Sequence, residues 1–299
     1  MMKYPITTME GLRSEGHREL TPEEEAKSYS KYFYKPLADI PEEDLNILNA
    51  GPSDSMLALK IEDRDDLLLP GYLPIETGYC KLPDGSAFAA TKVMFPGATP
   101  EMFDWWFNWH PIEPLRYALW SPNAHMSISA KYPDAHRDAS GYPLKSRNYG
   151  KVHYPMEGFR YDMAKPAVIQ FFSPEDFGLN KNLLAVTPVK SMFLANLYIM
   201  GGSASFTDGR EEKVEDDSIR TPFNVFFHSV RTVEGGCELR SRYWIGKNIV
   251  DGKAVHVDMP EGLDTEQFAW ENCRHSLTEY NNLASFLPQI YKEQGGRID

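Results

Sequence analysis

A chain of 299 residues with 42% hydrophobic and 13% aromatic residues can build one large core, and no linker-like stretch divides it. A formal charge of −12, with the acids dispersed in short clusters at 22–25 and 211–217 that read as solvated loop or helix ends, argues against a nucleic-acid or anionic-membrane surface, because both need clustered cations. No apolar run approaches a transmembrane length and the N-terminus lacks a signal-peptide core, so a cytoplasmic protein is expected; three scattered cysteines, Cys80, Cys237 and Cys273, leave any metal to His, Asp and Glu.

Residues 1–69 read as a partly helical N-terminal extension. Its clearest helix start is Thr21-Pro-Glu-Glu-Glu-Ala, where threonine caps and proline opens the first turn. The weak apolar pattern around it predicts packing on the body or on a partner subunit, the latter making a homo-oligomer. Residues 70–299 read as the main domain. Within it, 75–81 and 87–95 are strands joined by the turn Leu82-Pro-Asp-Gly85. Thr99-Pro100 then opens a helix running to His110 that carries Phe103, Trp105, Trp106, Phe107 and Trp109, suited to wedging against a sheet or to walling a ring-shaped ligand. Further strands are expected at 166–172, 192–200, 224–232 and 237–246, the last two flanking the turn Val233-Glu-Gly-Gly236.

The last element is a long helix from 266 to 287, capped by Asp264 or Thr265 and closed by Pro288. Hairpin-linked strands followed by one long helix predict an α+β fold, an antiparallel sheet curled around that helix. On it, His275 and Glu279 lie one turn apart on one face, in line with Phe268, Asn272, Leu283 and Phe286. On these two residues alone a plain intrahelical hydrogen bond accounts for the pair, and one shared metal ion is the sharper alternative.

A metal would need ligands from elsewhere. His125 follows a Ser-Pro turn that can aim it inward. His153 and Glu157 share one side of a strand, so geometry does not choose between them. His136 and His256 sit in polar turn sequence and are expected to be solvated, while His228 lies on a strong strand as either a satisfied core histidine or a functional one.

Taken together, Glu76-Thr-Gly-Tyr79, Pro83-Asp-Gly85, Met102-Phe-Asp-Trp-Trp-Phe-Asn-Trp-His110, Leu115-Arg-Tyr-Ala-Leu-Trp120 with His125, Gly236-Cys-Glu-Leu-Arg-Ser-Arg-Tyr-Trp244 and His275-x-x-x-Glu279 resemble the 2,4-diacetylphloroglucinol and phloretin hydrolase family. The resemblance implies a helix-grip fold of the Bet v 1 and START type. It also implies a zinc-dependent hydrolase that cleaves the carbon–carbon bond between a phloroglucinol-type ring, or a 1,3-diketone, and an acyl group. Its zinc ligands would be His125, Glu157, His275 and Glu279, with Tyr117 bonding an oxygen of a small aromatic acyl-ketone substrate; for the chemistry itself, His228 or Tyr243 would assist proton movement if either faces the pocket. The chain departs from the family at Met126-Ser-Ile-Ser129, where the acyl hydrolases carry an asparagine that contacts substrate. The alternatives are a metal-dependent cyclase, isomerase or lyase on a polyketide-like substrate, and a carrier of hydrophobic ligands.

Overall fold

The computed structural model describes residues 3–200, 204–207, 210–214 and 220–299. Its centre is an antiparallel sheet. The predicted first hairpin is β1 (Gly78–Lys81) and β2 (Ala87–Pro96), and the chain turns between them where Gly85, at φ +87°, takes a conformation that a side chain would oppose. β1 starts later than expected because Glu76 accepts the Leu73 N–H at 2.7 Å and closes a turn where extended chain was expected. β3 (His125–Ala130), β4 (Val152–Glu157), β5 (Lys165–Phe171) and β6 (Val189–Met200) follow. A separate hairpin pairs β7 (Ala204–Thr207) with β8 (Arg210–Val214), so the N-terminal part of the acidic cluster at 211–217 is strand, and its residues 215–217 lie outside the described residues. β9 (Arg220–Val233) and β10 (Gly236–Ile245) form the second predicted hairpin, and β11 (Lys247–Val250) pairs with β12 (Lys253–His256). Eight strands make one sheet in the order β1-β2-β10-β9-β6-β5-β4-β3.

Both faces of this sheet are covered, so its central strands are buried throughout rather than alternating between apolar and polar. On the inner face, Phe193, Phe226, Val230, Leu239 and Tyr243 join one apolar cluster with the helices. On the outer face, Phe88, Val225, Phe227 and Trp244 join a second cluster with Leu59, Ile61, Leu67 and Leu68, which therefore form a strap from the N-terminal part of the chain. The strap is also hydrogen-bonded, Trp244 Nε1 donating to the Leu59 carbonyl at 2.8 Å.

The helices are α1 (Met9–Ser14), α2 (Pro22–Glu25), α3 (Glu42–Ala50), α4 (Pro100–Trp109), α5 (Pro114–Ala118), α6 (Lys181–Val186), α7 (Thr265–Ala284) and α8 (Leu287–Glu293). Thr21 caps α2, as its sequence suggested, and the structure adds the reciprocal bond from Glu24 that completes a capping box. α4 is the aromatic helix. Its rings act mainly as a wedge, with Phe107 stacked on Phe193 at 3.8 Å and Trp105 packed edge-on to Tyr291 of α8. α7 is the long helix held in the sheet, an α+β helix-grip arrangement. Asp264 caps it by accepting the N–H groups of Glu266 and Gln267. It ends at Ala284, three residues before the predicted end. The last four-residue step of its ladder is Ser285 N–H to the Asn281 carbonyl; the Phe286 N–H turns to Leu283 instead, with φ at −138°, and Pro288 sits in the first turn of α8, where its missing N–H costs no helix bond. Among the described residues no helix is long and apolar enough to cross a membrane.

Candidate metal centre

His125 is the first residue of β3, delivered by a tight turn in which its N–H and that of Ala124 both bond the Ser121 carbonyl. Asn282 of α7 donates to the carbonyls of Leu119 and Trp120, tying this turn to the long helix. His125 stands directly opposite Glu157, the last residue of β4. Met126 is the extra residue of a bulge between His125 and Ser127, which re-aims the strand end. The His125 ring lies flat on Tyr117, with centroids 4.1 Å apart and planes 2° from parallel. Its Nδ1 is 3.3 Å from the Tyr117 carbonyl. A carbonyl only accepts, so Nδ1 carries the proton and Nε2 presents a lone pair.

That lone pair meets the pair on α7. His125 Nε2 is 3.3 Å from His275 Nε2 and 3.5 Å from Oε2 of both Glu157 and Glu279. His275 Nε2 is itself 3.5 Å from Glu279 Oε2. Donor atoms about 2.0–2.2 Å from one ion at tetrahedral angles stand roughly 3.3–3.5 Å apart, so these separations fit a tetrahedral cation such as zinc. His125, His275 and Glu279 form a mutually close group that could hold a metal. Glu157 adjoins the group through His125, and its Oε2 also accepts the Tyr117 hydroxyl.

The electrostatics suit the same occupant. Burial drives His125 far below its ordinary pKa and His275 down to about 3, so both imidazoles are neutral and able to donate lone pairs. Burial, and then the neighbouring Glu157, pushes Glu279 well above the carboxylate range; burial raises Glu157 too, against the Tyr117 bond. With Glu279 buried and Glu157 half-buried beside it, a cation between the two carboxylates would let both ionise.

Residues 57–292 match the profile of the DAPG hydrolase PhiG domain. The chain belongs to the DAPG hydrolase family. It is 30% identical over 280 residues to a 2,4-diacetylphloroglucinol hydrolase of Pseudomonas sp, covering 90% of this chain and 89% of that one. It is 29% identical to the phloretin hydrolase of Eubacterium ramulus, covering 91% of this chain and 92% of that one. Among solved structures, a protein from Chromobacterium violaceum aligns over 67% of this chain and 97% of that chain, at 11% identity and a TM-score of 0.32.

Around the centre of this family member, the other sequence candidates separate. His228 and Tyr243 face inward from β9 and β10, with ring centroids 5.5 Å apart. His153, which shares the inner face of β4 with Glu157, is diverted to another partner: its Nε2 is 3.1 Å from Nε2 of His136. His256 is exposed, as expected. His136, expected to be solvated, is fully buried. The polar turn sequence misleads there because Asn108 of α4 reaches it. Asn108 gives its amide hydrogens to the carbonyls of Asp104 and Leu144, so its Oδ1 accepts from His136 Nδ1 at 2.8 Å, and His136 Nε2 accepts from His153. No carboxylate is part of this second histidine contact, and the tautomers account for it without a metal.

Burial holds His136 near a pKa of about 4, against an ordinary value of 6.5. Between those values the unfolded chain binds a proton that the folded chain refuses, so stability falls as pH drops from 6.5 towards 4. His136→Gln keeps one donor and one acceptor but does not titrate. Urea unfolding at pH 7 and pH 4.5 should show this variant losing less stability than the parent, by up to roughly 3 kcal/mol. Equal losses in the two proteins would refute this.

Two groups near the centre escape a reading by motif. Glu15 of the N-terminal segment accepts from Asn123, two residues before His125, at 2.8 Å and from Arg274, beside His275, at 2.5 Å, bridging the strand and helix halves of the site. Tyr280 follows Glu279 on α7. A tyrosine on the buried face of a helix reads as core, so no local signal marks it.

Proposed function

We propose that the protein is a zinc-dependent hydrolase. It cleaves the carbon–carbon bond between a polyhydroxylated, phloroglucinol-type ring, or a 1,3-diketone, and an acyl group, yielding a carboxylic acid and the deacylated product. The observation that carries this reading is the convergence of His125, His275 and Glu279, with Glu157 alongside, in a member of the DAPG hydrolase family. Relatives named for 2,4-diacetylphloroglucinol and phloretin support the choice of ring. Zinc bound by these residues supplies Lewis acidity and lowers the pKa of a water it binds.

The protein's own residues supply the rest. Breaking an aryl–acyl bond needs a proton at the ring carbon and a donor on the acyl or ring oxygen; ring hydroxyls ease the first by making the keto tautomer accessible. Tyr117 is the oxygen donor in this reading. Its single hydroxyl proton is engaged by Glu157, so it can turn to a substrate oxygen only when Glu157 lets go. Substrate binding and a change in the Glu157 contact are thereby coupled. Proton handling falls to the buried polar group around His228 and Tyr243. Burial holds His228 at about 3, so it works as a neutral imidazole that passes hydrogen bonds rather than as a standing cation.

The test is product analysis in oxygen-18 water with a panel of acylphloroglucinols and 1,3-diketones. One heavy oxygen should enter the released carboxylate, read by mass spectrometry. Turnover with no label in the product would point to a cyclase, isomerase or lyase. Tight ligand binding without zinc and without turnover would make the protein a carrier.

A further inference from the structure

His228 has both ring nitrogens occupied. Ser241 Oγ, at the paired position on β10, is 2.9 Å from Nδ1, and the Tyr280 hydroxyl of α7 is 3.2 Å from Nε2. The ring is clamped as well, stacked on Phe226 at 4.4 Å and met by Tyr280 at 5.5 Å. A neutral imidazole has one donor and one acceptor, and here each has a partner. While those two bonds stand, His228 has no nitrogen to offer a substrate.

The Tyr280 hydroxyl is differently placed. It has one proton and two lone pairs, so one bond to His228 leaves capacity for another, and the Tyr243 hydroxyl adjoins it. Tyr243 in turn donates to Ser276 Oγ at 3.2 Å, and Ser276 is 2.8 Å from Thr91 Oγ1. Every member of this chain is buried, Tyr280 at 1% exposure and Tyr243, the most open, at 7%. Tyr280 also packs edge-on to Trp120, in the segment that delivers His125.

We infer that Tyr280 is a positioning residue: with Ser241 it pins the His228 imidazole in one orientation and one tautomer and joins it to Tyr243. Protons on this side of the site then reach a substrate through a tyrosine hydroxyl and not from His228 directly. The chemical consequence rests on the hydrolase reading above; the pinned imidazole does not.

Two measurements separate them. In full-length protein with nitrogen-15 histidine, His228 is assigned by its loss in His228→Gln. It should give two well-separated ring-nitrogen shifts, the mark of one fixed neutral tautomer, and Tyr280→Phe should move them towards averaged values. Averaged shifts in the parent, or unchanged shifts in the variant, overturn the assignment whatever the activity. On an acylphloroglucinol that the parent hydrolyses, Tyr280→Phe keeps the ring against Trp120 and should lower kcat by about tenfold or more, with KM within about twofold and zinc content unchanged. An unaltered kcat would also overturn it. Ser241→Ala leaves the Tyr280 contact in place and should cost less than Tyr280→Phe; the reverse order would put the anchor on the wrong side of the ring.

Discussion

His275→Ala should release the metal and, with it, the activity. His275 supplies one of the two neutral nitrogens in the group with His125 and Glu279, at 3.3 Å and 3.5 Å from its neighbours. Without it the remaining donors are one nitrogen and carboxylates that adjoin each other, a weaker set for zinc. The loss should exceed the roughly 10–100-fold penalty of disturbing an outer partner of a ligand. The helix should survive, since alanine favours it, the Asp264 cap is three turns away, and Leu277, Tyr280 and Leu283 keep their burial. Elemental analysis should find about one zinc per chain in the parent and close to none in the variant. Zinc added to metal-stripped parent should raise its Tm, because a ligand that binds only the folded state stabilises it, and should leave the variant's Tm unchanged. A variant that keeps stoichiometric zinc would remove His275 from the centre.

How much of this could be read from residues alone depended on whether the signal was local. The strands of the two hairpins and the long helix carry their own punctuation, Gly85 and Gly235 at the turns and Asp264 and Pro288 at the helix ends, so the α+β helix-grip order was legible there with errors of a few residues; β3 was not, since its segment read only as a turn that aims His125. The pair His275 and Glu279 was legible as one face of a helix. Whether it was more than a hydrogen bond was not, because that turns on His125, 150 positions away in sequence and 3.3 Å away in space. His153 and Glu157 were indistinguishable by period, and what separates them is external: Asn108 and His136 claim one, Tyr117 and His125 the other. The burial of His136 was misread for the same reason, since a polar turn becomes interior only when another element lies over it. The Glu15 bridge and the Tyr280 contact join segments far apart in the chain and leave no local pattern.

The largest effect on stability should come from a residue outside the centre, Glu76. Its carboxylate receives Arg240 Nε and Nη2 at 2.9 and 2.6 Å and Arg242 Nη2 at 2.7 Å, on the outer face of β10 beneath the strap. Both guanidiniums are buried, Arg242 completely, and Arg240 Nη1 and Arg242 Nε have no hydrogen-bond partner. Burial pulls Arg242 down to about 10 while Glu76 opposes it. For Glu76, burial acts upward, but the two arginines outweigh it and hold the carboxyl at about 2, against an ordinary 4.5. The ion pairs therefore contribute in full above pH 4.5 and are lost as pH falls through about 2. Glu76→Ala leaves two adjacent buried cations with no shared counter-charge, a change that costs about 3–5 kcal/mol, a large part of the stability of a typical domain. Glu76→Gln keeps the acceptor and the Leu73 turn can still form, so its loss should be smaller but of the same sign. Urea unfolding at pH 7 measures both, and limited proteolysis should cut the strap around Leu59 and Ile61 first, because those residues lie over the arginines' side of the sheet. A Glu76→Ala protein within about 1 kcal/mol of the parent would mean that water or relaxation compensates the two guanidiniums. Ser241 and Tyr243 lie on the opposite face of the same strand, so loosening of β10 should reach the His228 contact before it reaches the proposed metal ligands on β3, β4 and α7.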